Sequence, residues 1–161
     1  MTLRIRRFHV DDAWMARRLM HDSIRTGAIR YTKAQRAAWS PSATPEEGWR
    51  ERLADHVTLV AEDVTAEVDR PVGFGTMRND GHLDLLFVAP DRMGTGVAGA
   101  LHDALLEAAA PLRPARLTAR ASLYARPFLA ARGWRLVGSA DQVRGGEVLA
   151  AFDMERDPPP A

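Results

Sequence analysis

The chain has 161 residues, 46% hydrophobic and 27% charged, with a formal net charge of +1. These values predict one globular domain of ordinary soluble composition, and they exclude a global electrostatic field for nucleic acid or an acidic membrane. There is no cysteine, which excludes disulfides, thiolate catalysis and cysteine–zinc sites and fits a cytoplasmic location.

Residues 3–8 alternate apolar and charged side chains, the pattern of a half-buried strand. Asp11 and Asp12 then offer cap chemistry for a helix striped by Ala13, Ala16, Met20 and Ile24. Thr32-Lys33-Ala34-Gln35 is a capping-box sequence opening a short helix through Trp39. Thr44-Pro45-Glu46-Glu47 reads as a stronger box, with a helix expected to about Ala54. Residues 56–62 predict a strand buried on both faces, 63–70 a polar loop and 71–78 another strand. Asn79-Asp80-Gly81 is a hairpin turn that returns the chain into a strand over 82–88.

A helix is expected over 96–109, with Val97, Leu101, Leu105 and Ala108 inward, then a short strand over 116–120. Ser122 caps a helix that stops at Gly133, and strands over 134–137 and 147–154 follow. Short turns make the middle strands antiparallel, whereas intervening helices allow parallel pairing later. The predicted fold class is therefore α/β, a mixed sheet with helices on both faces. One domain is expected over 1–155, followed by a disordered proline-rich tail over 156–161. No run of about 18 apolar residues exists, so no membrane span is expected. Trp14 and Trp49 read as packing, and His9, His21, His56 and His102 lack metal-ligand spacing, so no metal is expected.

The most chemical stretch is the apolar strand over 82–88, a proline, then Met93-Gly94-Thr95-Gly96-Val97-Ala98 and a helix. Glycines at such a helix start leave unpartnered amides where the dipole is positive, a ready site for phosphate. Residues 94–99 literally satisfy G-x-G-x-x-G. A dinucleotide fold, however, places that turn after its first strand, and here an antiparallel hairpin precedes it. No Lys-Ser/Thr pair follows, so it is no Walker loop.

The same stretch resembles the acetyl-CoA motif of the GNAT N-acetyltransferase superfamily, Gln/Arg-x-x-Gly-x-Gly/Ala, mapped from Met93 to Ala98. The resemblance extends to residues 122–134, similar to the family's later helix ending in Gly-Phe. It also reaches Ile24, Tyr31, Gln35 and Trp39, which look like a bacterial small-molecule branch. Met93 stands where the family usually has Gln or Arg, and Leu129 where many members carry the tyrosine that protonates the leaving thiolate.

The resemblance implies a strand that splays from its neighbour, with pantetheine pairing to the main chain of Phe87 and Val88. It places the pyrophosphate on amides from Met93 to Ala98 and assigns Ser122 to the cofactor end. Acetyl-CoA would be the co-substrate and a primary amine of a small molecule or peptide the acceptor. Catalysis needs a base for the ammonium proton, and His82 and Asp84, on one strand face, are the candidates. Tyr124 is the candidate acid. Ile24, Tyr31, Gln35 and Trp39 would form the acceptor pocket. A homodimer is compatible with such a fold. The substitution at Leu129 keeps a second reading open, a non-catalytic acyl-CoA-binding module, and the glycine spacing a third, a nucleotide-dependent oxidoreductase.

Overall fold

A computed structural model describes residues 1–65 and 67–160. Its elements are β1 (Leu3–Arg7), α1 (Ala13–Asp22), α2 (Lys33–Trp39), α3 (Trp49–Ala54), β2 (Val57–Asp63), β3 (Arg70–Met77) and β4 (His82–Val88). They continue with α4 (Val97–Ala109), β5 (Leu117–Ala121), α5 (Ala125–Ala130), β6 (Arg135–Ser139), β7 (Gln142–Arg144), β8 (Glu147–Leu149) and β9 (Phe152–Arg156). One sheet runs in the order β1-β2-β3-β4-β5-β9-β6, and β7-β8 form a separate hairpin. Every pairing in the large sheet is antiparallel except β4–β5.

Strand alternation explains the two layers of core. Val57, Leu59 and Ala61 of β2 face α4, where Val97, Leu101 and Leu105 meet them. Val60 faces the other way, with Phe74, Leu85, Trp49 and Leu53, under α1 and α3. Burial on both faces is why β2 reads as a continuous apolar run. Helix α4 lies close on β3 because Gly73 and Gly75 have no side chains. A Cβ at Gly75 would stand 2.7 Å from the Leu105 methyl, and one at Gly73 would stand 2.9 Å from Leu101 and Val97.

Several local expectations change in the tertiary context. The first helix is introduced by a 3-10 turn, Val10–Asp12, capped by the His9 ring, which accepts from the Asp11 N–H. Asp12 supports that cap by accepting from the His9 N–H at 2.7 Å, while also binding Arg6. The Thr32–Gln35 box forms as expected. The Thr44 box does not: the Thr44 N–H donates to the Ser42 hydroxyl at 3.0 Å, and Gly48 at φ 83° starts α3 one residue before Trp49. Residues 147–154 are two strands, not one: β8 pairs back on β7 across the turn at Gly145 and Gly146 (φ 52° and 79°), and after Ala150 and Ala151 the chain joins the large sheet as β9. Trp49 is buried, its indole N–H donating to the Ala13 carbonyl at 2.9 Å, but Trp14 is 67% exposed and packs nothing inward. Strand β9 runs through Arg156, and Asp157 pairs with Arg116 and Arg135. Ala161, in the expected tail, and Ala66, in the expected 63–70 loop, lie outside the described residues.

His102 ties α4 to the segment after α5. It is 1% exposed, and the Trp134 indole N–H donates to its Nε2 at 3.0 Å. Nδ1 must then carry the proton, facing Asp103 at 2.8 Å. Burial pushes this imidazole below its ordinary value despite the pull of Asp103. An unfolded chain therefore binds the proton first, so this contribution is complete above about pH 6.5 and lost as pH falls below it. His102→Leu is expected to cost about 1–3 kcal/mol at pH 7 by orphaning the indole N–H. Urea unfolding should show the gap to the parent narrowing between pH 7 and pH 5.

Candidate active site

Strands β4 and β5 pair only at His82–Thr118 and Leu83–Ala119. Beyond that point β4 stays with β3, as far as Val88 opposite Gly73, and β5 diverges. The Ala89 N–H donates to the Val72 carbonyl at 2.8 Å. Successive amides alternate in direction, so the Val88 N–H points to the edge that β5 has left. The divergence opens a cavity of about 490 Å³, walled by Leu86 and Phe87 on one side and by Ala121, Ser122, Ala125 and Leu129 on the other.

Past this edge, a 3-10 turn (Pro90–Arg92) leads to Gly94 and Gly96, at φ 75° and 95°. Both angles are left-handed, which glycine adopts without steric cost. Residues 93–96 are exposed, and a Cβ on either glycine would meet nothing within 4 Å. The first amide of this region to find a carbonyl is that of Ala100, bonded to Gly96 at 3.1 Å. The amides of residues 94–99 have no acceptor among the described residues. A turn with open space above it and consecutive donors facing outward fits an anion such as pyrophosphate. The Met93 thioether is turned away from the turn and lies against Gly27. Arg92, next to the turn, is engaged by Asp63 and Asp91.

His82 and Asp84 both line the cavity, in different states. Both Asp84 oxygens sit in the fork of Arg52, at 2.7 and 2.9 Å. Burial would raise this carboxyl, but Arg52 more than offsets it and holds the group below the usual range. His82 Nδ1 faces the Thr118 hydroxyl at 2.8 Å, and Nε2 has no partner among the described residues. Burial first, then Arg78, push His82 below its ordinary value, so the ring is neutral at pH 7.

Other expected residues divide. Tyr31 and Trp39 line the cavity and stack edge-on at 5.4 Å, with Phe87 next to Trp39. The Tyr31 hydroxyl is occupied, donating to the Ala150 carbonyl and accepting from the Leu123 N–H. Ile24 and Gln35 do not line the cavity. Ile24 is 1% exposed in a π-helical turn, and Gln35 is spent on its capping box and the Val148 carbonyl. Ser122 lines the cavity and caps α5, accepting from the Ala125 N–H at 3.1 Å. Tyr124 is turned away: its hydroxyl accepts from the Arg30 N–H at 2.7 Å, and its ring packs with Tyr31 and Leu123. Leu129, 1% exposed, fills the wall where the resemblance places a tyrosine. Arg17, Glu46, Arg52, Arg78, Arg120 and Arg144 also line the cavity without having been anticipated. They converge from α1, the α3 region, the β3–β4 turn, β5 and the β7–β8 hairpin, and nothing local in the sequence marks them as neighbours. Among the described residues, no cluster of three or more metal-binding side chains occurs, and no helix is long and apolar enough to cross a membrane.

Antiparallel β3–β4 pairing ahead of the glycine turn removes the dinucleotide-fold reading. Comparison with known proteins agrees with the splayed-strand geometry. Residues 27–156 match the family model for the acetyltransferase (GNAT) domain. The chain is 34% identical over 112 residues to the uncharacterized N-acetyltransferase YafP of Escherichia coli (strain K12), covering 70% of this chain and 67% of that protein. It is 30% identical to a GCN5-related N-acetyltransferase (aminotransferase, class II) from Rhodopseudomonas palustris, with a TM-score of 0.87 over 98% of this chain and 96% of the other. It shares its fold with YncA from Salmonella typhimurium, whose structure holds its cofactor acetyl-CoA, at 16% identity, a TM-score of 0.69 and coverage of 100% and 96%. On the family match and these relatives, the chain belongs to the GNAT acetyltransferase family.

Proposed function

We propose that this chain is an N-acetyltransferase that moves an acetyl group from acetyl-CoA to a primary amine of a small molecule by direct attack. The observation that carries the reading is a free sheet edge at Val88 leading straight into the unpartnered amides of residues 94–99. In this reading the main chain of Phe87 and Val88 receives the pantetheine arm, and the turn from Met93 to Ala98, with Gly94, Thr95, Gly96 and Val97, holds the pyrophosphate. Ser122 shapes the far wall. The thioester supplies an activated acyl carbon beside the open Val88 amide, which is placed to donate to a developing oxyanion.

His82 is the base. Its ring is neutral at pH 7, it faces the cavity, and Nε2 is free to take the ammonium proton. Asp84 is a poor base, because both its oxygens are held by Arg52; it fixes that arginine in the wall. Once His82 has taken the ammonium proton, the neutral amine adds to the acyl carbon. The tetrahedral species then collapses with loss of the carbon–sulfur bond, the electron pair leaves on sulfur, and the second nitrogen proton passes to that thiolate, which departs as the thiol. A thiol of pKa about 8.5 is a fair leaving group, so Tyr124 is not required as an acid. Trp39 and Tyr31 form the apolar wall of the acceptor end.

Calorimetric titration with acetyl-CoA, followed by thiol release over an amine panel, tests the reading. Absence of binding at tens of micromolar overturns it. Leu129 favours one alternative, a module that binds acyl-CoA without transfer, and binding with no turnover on any amine would select it.

A further inference from the structure

Resting on the transferase reading, we propose that the acceptor amine carries an oxyanion, a carboxylate or phosphate, bound by Arg17 and Arg144. Arg17 is the unusual residue. Its side chain is 8% exposed, yet it lines the cavity. Nε donates to Glu46 at 3.1 Å and Nη1 to the Ser40 hydroxyl at 3.2 Å, while Nη2 has no partner among the described residues. Nη2 is not sealed among other side chains, so this open donor is reached from the cavity, where a ligand oxygen can take the place of water. The side chain of Arg144, exposed on β7 at the cavity wall, makes no ion pair or hydrogen bond among the described residues.

The remaining charges leave Arg144 without a protein anion and Arg17 with the half-exposed Glu46 alone. Arg52 is matched by Asp84, and Arg78 and Arg120 are tethered from outside the cavity by Asp80 and Asp153. Glu46 and Asp84 are the acidic lining residues, and each is already paired. The wall therefore carries a cationic excess, which repels polycationic acceptors and suits a planar or tetrahedral oxyanion in a guanidinium fork. The same excess lowers the pKa of a bound ammonium, favouring the neutral amine that the reaction consumes.

The test uses the purified full chain with acetyl-CoA and matched pairs of acceptors: amino acids with their carboxamides, and aminoalkyl phosphates with the parent amino alcohols. A polyamine is the opposite control. The acidic member is expected to exceed its neutral partner in kcat/KM by about tenfold or more, as a charge-assisted contact supplies. The better acid, carboxylate or phosphate, identifies the source. Arg144→Gln, at an exposed position, should shrink that ratio, and Arg17→Lys should shrink it further by withdrawing the Nη2 donor while keeping the charge. Neutral amines or polyamines used equally well, or ratios unchanged in both variants, overturn the proposal. If acetyl-CoA binds but no amine is turned over, the transferase reading falls by itself. The anion site is then read by thermal shift: stabilisation by the acids, lost in Arg144→Gln, upholds it, and no shift refutes it.

Discussion

Gly96→Val is expected to abolish acetyl-CoA binding while the protein still folds. Gly96 lies at φ 95° in an exposed turn, and a Cβ there meets no neighbour within 4 Å. The folding penalty is therefore backbone strain alone, about 1–3 kcal/mol. For a domain of this size that lowers Tm by roughly 2–4 °C per kcal/mol. Binding suffers more, because a branched side chain keeps phosphate away from amides that can be reached only at close range. A loss of about 100-fold or more in Kd, near 2.7 kcal/mol, is expected by calorimetry. Thermal melting on the same samples separates the two effects. Unchanged affinity would remove the turn from the site.

His82→Gln is expected to lower kcat/KM by about 10²–10⁴, the usual worth of a positioned base. The pH profile distinguishes this from mere disruption. Burial and Arg78 hold the imidazole below its ordinary value, so the parent enzyme should lose kcat/KM as pH falls below about 6.5. The variant should lack that acidic limb. Asp84 raises the His82 pKa through its charge, so Asp84→Asn should move the limb to lower pH without erasing it. A limb that disappears in Asp84→Asn and persists in His82→Gln would transfer the role to Asp84.

The elements proposed to hold the cofactor were legible from local chemistry. The strand at 82–88 follows from alternation after a turn-forming Asn-Asp-Gly, and the Gly94–Gly96 turn needs backbone angles that few other residues adopt. The Thr32 capping box was legible for the same reason: its partners lie three residues apart. The Thr44 box had the same spacing and failed: the Thr44 N–H donates to the Ser42 hydroxyl instead of to Glu47, and α3 starts from Gly48. The β7–β8 hairpin turns on Gly145-Gly146, but its strands are three residues each, too short to show a period of two.

By itself, then, the sequence determined where main-chain donors would be exposed, because capping, turn and alternation preferences act over a few residues. Only the tertiary structure decided which side chains share the cavity. It locked Asp84 to Arg52, left His82 neutral with a free nitrogen, turned Tyr124 toward Arg30, and buried Arg17 with an unmatched donor. Each of these depends on charges and burial contributed by elements far apart along the chain. Their energies are set by distance and dielectric in space, quantities that no local pattern encodes.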